Sequence, residues 1–518
     1  MTFWFSKRSF PLSYAELKTA GLYDVTAPEF GADPTGARDS TAAIQKAMDV
    51  AYEAGRKRDS SSGVVFFPSG TYTISNTLVA LHDRHGGATS HVLMGSTKGP
   101  LPKIVLKENT FNDNKASNNL SIEGKKAMIH FYACEGAGET EEGSKGCNPS
   151  YDIQLEDVNQ TDGNAAMMMG EGALNLEFVI KSGNPDAIGI RFAGAQGNVL
   201  SNIKVTAEGD SFAGIYSLIG TSSVAQDIEV VGGRIGIHGG MPSWPSFNNV
   251  RLINQTDYAI ASLSQRGPLS LNGFYIEKQS TPIISDAPTN YSYLGSTNSG
   301  GAYALSDGVI KVRTASAAPA IDNSTRQLTL QNVYLEKVQT ITTSSSNSPV
   351  AGNASGWAHV SLYSKVMKDY GANIGVRYED GVMKKDDFYD INRSSSAPNV
   401  NSLLARHGVD RSILPSPDVI MERSKAGDPA YVYLKDKGIS PVTNISASSP
   451  DQREALSNAI NASGVKYVLV PMGTYLVKDT LDIKGNVSII GMTGAKSEIR
   501  NHPGMIVTTG NPKYVLRT

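Results

Sequence analysis

Asn175-Leu176-Glu177-Phe178, Asn202-Ile203-Lys204-Val205, Asp227-Ile228-Glu229-Val230 and Asn249-Val250-Arg251-Leu252 are one four-residue phrase repeated along the chain. An Asn or Asp comes first, and apolar residues then flank a polar one. The phrase also fits Asp152-Ile153-Gln154-Leu155 upstream and Gly273-Phe274-Tyr275-Ile276 downstream. From Ile153 the steps to Leu176, Ile203, Ile228, Val250 and Phe274 are 23, 27, 25, 22 and 24 residues. A second series keeps the same beat: Gly189-Ile190, Gly214-Ile215, Gly236-Ile237 and Ala259-Ile260. Two period-two strand signals in each repeat, bounded by Gly, Asn or Ser, predict the rungs of a right-handed parallel β-helix. Apolar side chains at alternate positions would point inward and stack about 4.8 Å apart on those of the next rung. The leading Asn or Asp suits a tight bend, because it tolerates left-handed backbone and can stack its amide along the coil.

Outward from this core, one block occurs twice. Phe67-Pro68-Ser69-Gly70-Thr71-Tyr72 returns as Val470-Pro471-Met472-Gly473-Thr474-Tyr475, 403 residues later. An amphipathic helix is predicted before each copy. The first, over residues 40–54, puts Ile44, Ala47, Met48 and Ala51 on one face; the second is expected to open at Ser449-Pro450-Asp451-Gln452 with Ser449 as N-cap. Such a helix can cover the open end of a solenoid, where bare strand edges and an apolar cross-section invite aggregation. The organisation expected is an N-terminal segment (1–22), a first β-helix module (23–391), a linker (392–430) and a second module (431–518). Only 37 residues follow Leu481, which is fewer than two rungs, so the second module is expected to be truncated.

The 518 residues carry a net charge of −2, with 51 glycines and 19% charged residues, and no basic run. That balance argues against nucleic acid as a partner and suits a turn-rich β protein that meets neutral polar ligands. No stretch has the roughly 18–20 apolar residues of a membrane span, and Met1–Phe10 does not read as a signal peptide. Cys134 and Cys147 flank a Gly/Glu-rich insert at a spacing that matches no metal motif; they would close a surface loop in an oxidising compartment and stay idle thiols elsewhere. His82, His85 and His91 form a cluster with no defined element to aim them, so no metal site and no cofactor is expected.

At Tyr23–Leu78, EFGADPTGARDSTAAIQKAM followed by GVVFFPSGTYTISNTL resembles the opening of the pectate-lyase-like β-helix superfamily. Two such openings, together with AIGIRFAGAQGNVLSNIKV, GRIGIHGG and NNVRLINQTDYAI, are similar to the tandem β-helix exo-β-1,3-glucanases of glycoside hydrolase family 55. The resemblance implies two β-helices side by side, a polysaccharide entering between them, hydrolysis with inversion, and an extracellular address. It places the general acid on a Glu of the second helix, which is expected beyond the residues present. It also implies that a Gln and a hydroxyl residue of the first helix hold the attacking water. Gln196 matches the first, and Thr221, or its neighbour Ser222, the second.

The repeat arithmetic agrees with this placement. Gln196, Thr221 and Ser243 each lie seven residues before an inward apolar residue (Ile203, Ile228, Val250) and would stack as one polar column. The plainer explanation is that β-helix turns are rich in such residues. Arg191, Tyr216 and His238 form a second column beside Trp244, with the cation, imidazole and aromatic faces used in sugar binding; its plainer explanation is a solvated face. Glu177, Lys204, Glu229 and Arg251 read first as a cross-strand ion ladder. The expected protein is a monomeric polysaccharide hydrolase. The alternatives are a polysaccharide lyase or polygalacturonase-like enzyme, and a noncatalytic glycan-binding or tailspike-type protein.

Overall fold

The computed structural model describes residues 12–56, 63–82, 92–112, 124–133, 170–192, 197–216, 223–239, 246–262, 269–285, 302–322, 327–365, 377–384, 386–407, 414–492, 497–505 and 514–517. Most of the first module is a parallel β-helix. One large sheet runs in the order Leu22–Asp24, Val64–Phe67, Val92–Gly95, Gly172–Ile180, Val199–Ala207, Val224–Val231, Ser246–Ile253, Leu269–Lys278, Ala302–Val312 and Gln327–Glu336. A second sheet faces it, built from Ala187–Phe192, Ala213–Tyr216, Ile235–Gly239, Tyr258–Ser262 and their neighbours. Leu176, Ile203, Ile228, Val250 and Phe274 are paired rung to rung, and Ile190, Ile215, Ile237 and Ile260 likewise. All nine lie in one continuous core.

The corner between strand segments is set by the residue that opens each phrase. Asn175, Asn202, Asp227, Asn249, Asp307 and Asn332 all adopt left-handed backbone, with φ between 52° and 56°. Their side chains bond along the coil: Asn202 donates to Asn175 at 2.9 Å and Asn249 to Asp227 at 2.6 Å. In the repeat that opens with Gly273 (φ 67°) this position is where His407 packs, and a Cβ there would lie 2.6 Å from that of His407. The repeat at residues 152–155 lies outside the described residues. Alternating charges on the outer face form the expected ladder, with Lys103–Glu177 at 3.2 Å and Lys204–Glu229 at 3.1 Å.

Beyond Gln327–Glu336 the stack continues with antiparallel strands, Trp357–Ser364 and Phe388–Ser395. Residues 392–395, read as linker, are the end of this last strand. The rest of 392–430 is also structured: helix Val400–Leu404 contacts the strands Leu269–Lys278 and Ala302–Val312, and helix Pro417–Lys425 follows.

The second module repeats the opening of the first. Tyr431–Tyr433, Tyr467–Val470 and Ser488–Gly491 pair in parallel like Leu22–Asp24, Val64–Phe67 and Val92–Gly95. Gly473–Val477 pairs with Ser497–Asn501, and Leu481–Asp482 with Leu516–Arg517. Each helix is tied to its coil by a comparable bond at its N-terminal end: Ser40 N–H donates to Thr73 O at 2.7 Å, and Gln452 N–H to Leu476 O at 2.8 Å, the two acceptors standing 403 residues apart. In the first helix, Thr41–Arg56, the residues Ile44, Ala47, Met48 and Ala51 are buried in the core as anticipated.

The second helix corrects the sequence reading. It runs Arg453–Ile460 with Gln452 as N-cap, not from Ser449. Gln452 is committed to the strand, since its side chain also accepts from Leu476 N–H at 3.1 Å, so helical backbone starts only after it. Ser449 instead closes a turn of its own, accepting from Ser446 N–H and donating to Asn444 O.

The two modules lie flank to flank. Leu22, Val64, Phe66, Val92 and Met94 of the first share an apolar cluster with Tyr433, Leu469, Met472 and Met492 of the second, and Ile420 and Met421 join from the helix between them. At its border Ser96 Oγ donates to Asp418 at 2.6 Å, and Lys98 pairs with Glu422 at 2.6 Å. Among the described residues, no helix is long and apolar enough to cross a membrane.

Candidate functional site

The second sheet carries the column anticipated from the Gly-Ile pairs. Arg191 is register-paired with Tyr216, and Tyr216 with His238. The sequence reading missed a fourth member, His130, paired with Arg191 from the rung below. Its signal was present, because Ile129-His130 repeats the pattern of Ile190-Arg191, Ile215-Tyr216 and Ile237-His238.

Both explanations of this column assumed an exposed face, and the structure corrects that. Arg191 is 3% exposed, Tyr216 4%, His130 2% and His238 0%. These side chains leave the sheet on the side away from the main core, beside a second apolar cluster that includes Ile188, Phe212, Ala213 and Ile235. The Arg191 guanidinium lies 5.7 Å from the Tyr216 ring centroid, and the Tyr216 and His238 rings are 4.9 Å apart. Burial, reinforced by the charge of Arg191, lowers the His130 pKa far below the usual imidazole value, so that ring is neutral at physiological pH. One rung-end away, Lys125 and Asp186 form a fully buried ion pair, with Lys125 Nζ 5.3 Å from the Phe212 centroid.

Gln196, Thr221, Ser222, Ser243 and Trp244 lie outside the described residues, as do Cys134, Cys147, His85 and His91; nothing is described of the His82 side chain. What is described is both ends of the segments that carry the first five. Arg191, Tyr216 and His238 are matched on one side, and Val199, Val224 and Ser246 on the other. Each pair of anchors is eight residues apart, so three successive rungs have connections of equal length between equivalent points.

Where those connections rejoin the large sheet, a buried polar ladder lines the corner. Asn198 N–H donates to Ser223 Oγ at 3.0 Å, and Asn198 Oδ1 accepts from Glu171 N–H at 2.9 Å. Glu171, Asn198 and Ser223 are all at most 3% exposed. Sequence reasoning passed over them, although Asn198 and Ser223 each stand immediately before a matched strand start.

Three further carboxylates of the coil are paired with cations. Asp186 has Lys125, Glu277 has Arg313 at 3.0 Å, and Glu336 has Lys311 at 3.1 Å. Asp210 is exposed. Among the described residues no three His, Cys, Asp or Glu side chains converge as metal ligands.

Several solved structures are similar to this chain. They include ORF18 of Geobacillus virus E2 (11% identity, covering 72% of this chain and 77% of that one, TM-score 0.31). The surface adhesin PfbA of Streptococcus pneumoniae matches at 13% identity over 70% of this chain and 99% of its own, TM-score 0.26. A GH87 α-1,3-glucanase of Streptomyces thermodiastaticus matches at 14% identity over 64% and 67%, TM-score 0.20. TM-scores this low decide nothing about substrate. No curated protein matches the sequence. The family model of rhamnogalacturonase A/epimerase, pectate-lyase-like proteins matches residues 25–284, half of the chain. The chain therefore belongs to the rhamnogalacturonase A/epimerase, pectate-lyase-like family.

Proposed function

We propose that this is a carbohydrate-active glycoside hydrolase that cleaves β-1,3-glucan with inversion, acting outside the cell as a monomer. The observation that carries the reading is the set of three equal-length connections, which supports Gln196, Thr221 and Ser243 as one column above the buried Arg191, Tyr216 and His238. Inversion needs a water held on the face of the sugar opposite the leaving group, with a partner that orients it and relays its proton. Gln196 and Thr221 would hold that water, and Ser243 and Trp244 would meet the sugar. The buried column would fix the strand ends from which these segments leave. The flank-to-flank packing of the two module openings further supports a substrate that enters between two coils. No residue of this chain is assigned as general acid.

Replacing Gln196 with Ala tests the assignment. Turnover should fall by about a hundredfold or more while glucan binding persists, as loss of water positioning requires. Unchanged turnover would make Gln196 a turn residue. The family match favours a second reading, hydrolysis of a uronate-bearing backbone such as rhamnogalacturonan. Release of reducing ends from polygalacturonate but not laminarin would select it.

A further inference from the structure

Asn254-Gln255-Thr256, Asn353-Ala354-Ser355, Asn392-Arg393-Ser394, Asn444-Ile445-Ser446, Asn461-Ala462-Ser463 and Asn486-Val487-Ser488 are the six Asn-x-Ser/Thr triplets without Pro at x among the described residues. In a chain that passes through a secretory pathway this triplet is the acceptor for an N-linked glycan. The triplet also recurs by chance in a chain rich in Asn and Ser, so the structure has to separate acceptors from bystanders. The atom that decides is the amide nitrogen Nδ2, which gives up one of its two hydrogens to the sugar.

The six fall into two groups. Asn353 is half-buried and its Nδ2 donates twice, to Arg393 O at 2.7 Å and to Trp357 O at 3.3 Å. Asn461 is half-buried as well, with Nδ2 donating to Asp482 O at 2.8 Å and to Ser457 Oγ at 3.2 Å. Both hydrogens of each amide are in use, and each amide ties its segment to a second one that a glycan would force away. Asn254, Asn392, Asn444 and Asn486 are exposed, and Nδ2 of each makes no hydrogen bond among the described residues. Where these side chains bond, the oxygen does it: Asn254 Oδ1 accepts from Arg313 at 2.7 Å, and Asn392 Oδ1 from Ser394 N–H at 3.0 Å. The nitrogen is left unclaimed.

Two of the four stand at sheet ends. Asn392 lies on Phe388–Ser395, the last strand of the large sheet, and Asn486 comes two residues before Ser488–Gly491, the last strand of the three-stranded sheet of the second module. On the last two strands of the large sheet, Tyr389 is 55% exposed and Leu362 37%. A terminal strand with exposed apolar side chains is a template for pairing with another chain, and a bulky hydrated group beside it blocks that approach.

We propose that Asn254, Asn392, Asn444 and Asn486 are N-glycosylation sites, and that the glycans on Asn392 and Asn486 shield the two terminal strands and keep the protein monomeric. The co-substrate is an oligosaccharide linked to a polyprenyl diphosphate. Nδ2 attacks C1 of its first sugar, the N–C1 bond forms as the C1–O bond to the diphosphate breaks, and the displaced Nδ2 proton passes to solvent. The inference rests on the extracellular address in the proposed function and not on the hydrolysis.

The full chain, secreted from yeast behind an added leader, provides the test. Digestion with a peptide N-glycosidase converts each glycosylated Asn to Asp, and peptide mapping by mass spectrometry then finds the sites. Conversion is expected at Asn254, Asn392, Asn444 and Asn486, while Asn353 and Asn461 should remain as they are. Ser446→Ala and Asn444→Gln should each remove the one glycan at that triplet. The folded protein stripped of its glycans should give larger species by light scattering than the glycosylated form does. Conversion at Asn353 or Asn461 overturns the assignment, as does any of the four left unconverted, and stripped protein that stays monomeric overturns the shielding. Protein isolated from its source separates this inference from the reading it rests on. Bare protein recovered outside the cell overturns the inference and leaves the address standing, whereas bare protein found only inside overturns both.

Discussion

Asn202 carries two burdens at once, a left-handed backbone and a side-chain bond to Asn175. Replacing it with Ala removes the bond and puts an unsuited residue at positive φ, for a combined cost of about 1–3 kcal/mol. Gly keeps the backbone and loses only the bond, so Asn202→Gly should unfold at a higher urea concentration than Asn202→Ala. Equal midpoints would mean that the bend is not under backbone control. This position was legible in the sequence because an Asn or Asp opens most of the repeats and its physical reason is local. The burial of Arg191, Tyr216 and His238 was not legible, since period-two alternation reports which side of a sheet a residue faces and not what covers that side.

Lys278 shows the same limit. It is 3% exposed and donates to the carbonyls of Thr256, at 3.1 Å, and Asp257. Burial lowers its pKa to about 8, with Asp257 opposing the shift. Its folded pKa thus lies below the ordinary value, so between about pH 8 and 10.5 the unfolded chain binds more protons and stability rises with pH. Relative to Lys278→Met, the parent protein should gain stability across that window and show no change in the difference below it. Denaturation curves from pH 7 to 10 read this directly; a difference constant throughout would show that the lysine keeps its ordinary pKa.

At the level of elements, the start signal was read correctly as a unit and misread at its boundary. The helix Thr41–Arg56 follows from its apolar face, but a cap residue is decided by tertiary bonds that a local motif does not contain. Gln452 lost its place in the helix to Leu476 in this way. In the first module Gln45 makes a comparable tie from within the helix: its amide donates to Val79 O at 3.0 Å and accepts from Val79 N–H at 2.8 Å. Gln45→Ala would leave both backbone groups buried and unpaired, at about 2–4 kcal/mol. Hydrogen exchange at Val79 and Ala80 should accelerate first; exchange that rises evenly over the whole coil would contradict a local tie. The switch to antiparallel pairing after Gln327–Glu336 was invisible for a related reason, because both pairings share the same alternation.

Taken whole, the molecule is a long coil with the opening of a second coil packed against its flank, and repetition made that plan readable. The repeat gave rung length, inward residues and the duplicated opening. The residues proposed for catalysis lie outside the described strands, and so they were reachable only by counting from matched positions and by family resemblance. The central claim is that this coil presents Gln196 and Thr221 to the end of a neutral glucan. Incubating the full-length protein separately with laminarin, polygalacturonate and alginate, and following reducing ends together with the ultraviolet absorbance of unsaturated sugars, tests it most directly. The account predicts reducing ends from laminarin with no unsaturated product from any polymer. Unsaturated product from either uronate polymer, or no release from laminarin, would contradict it.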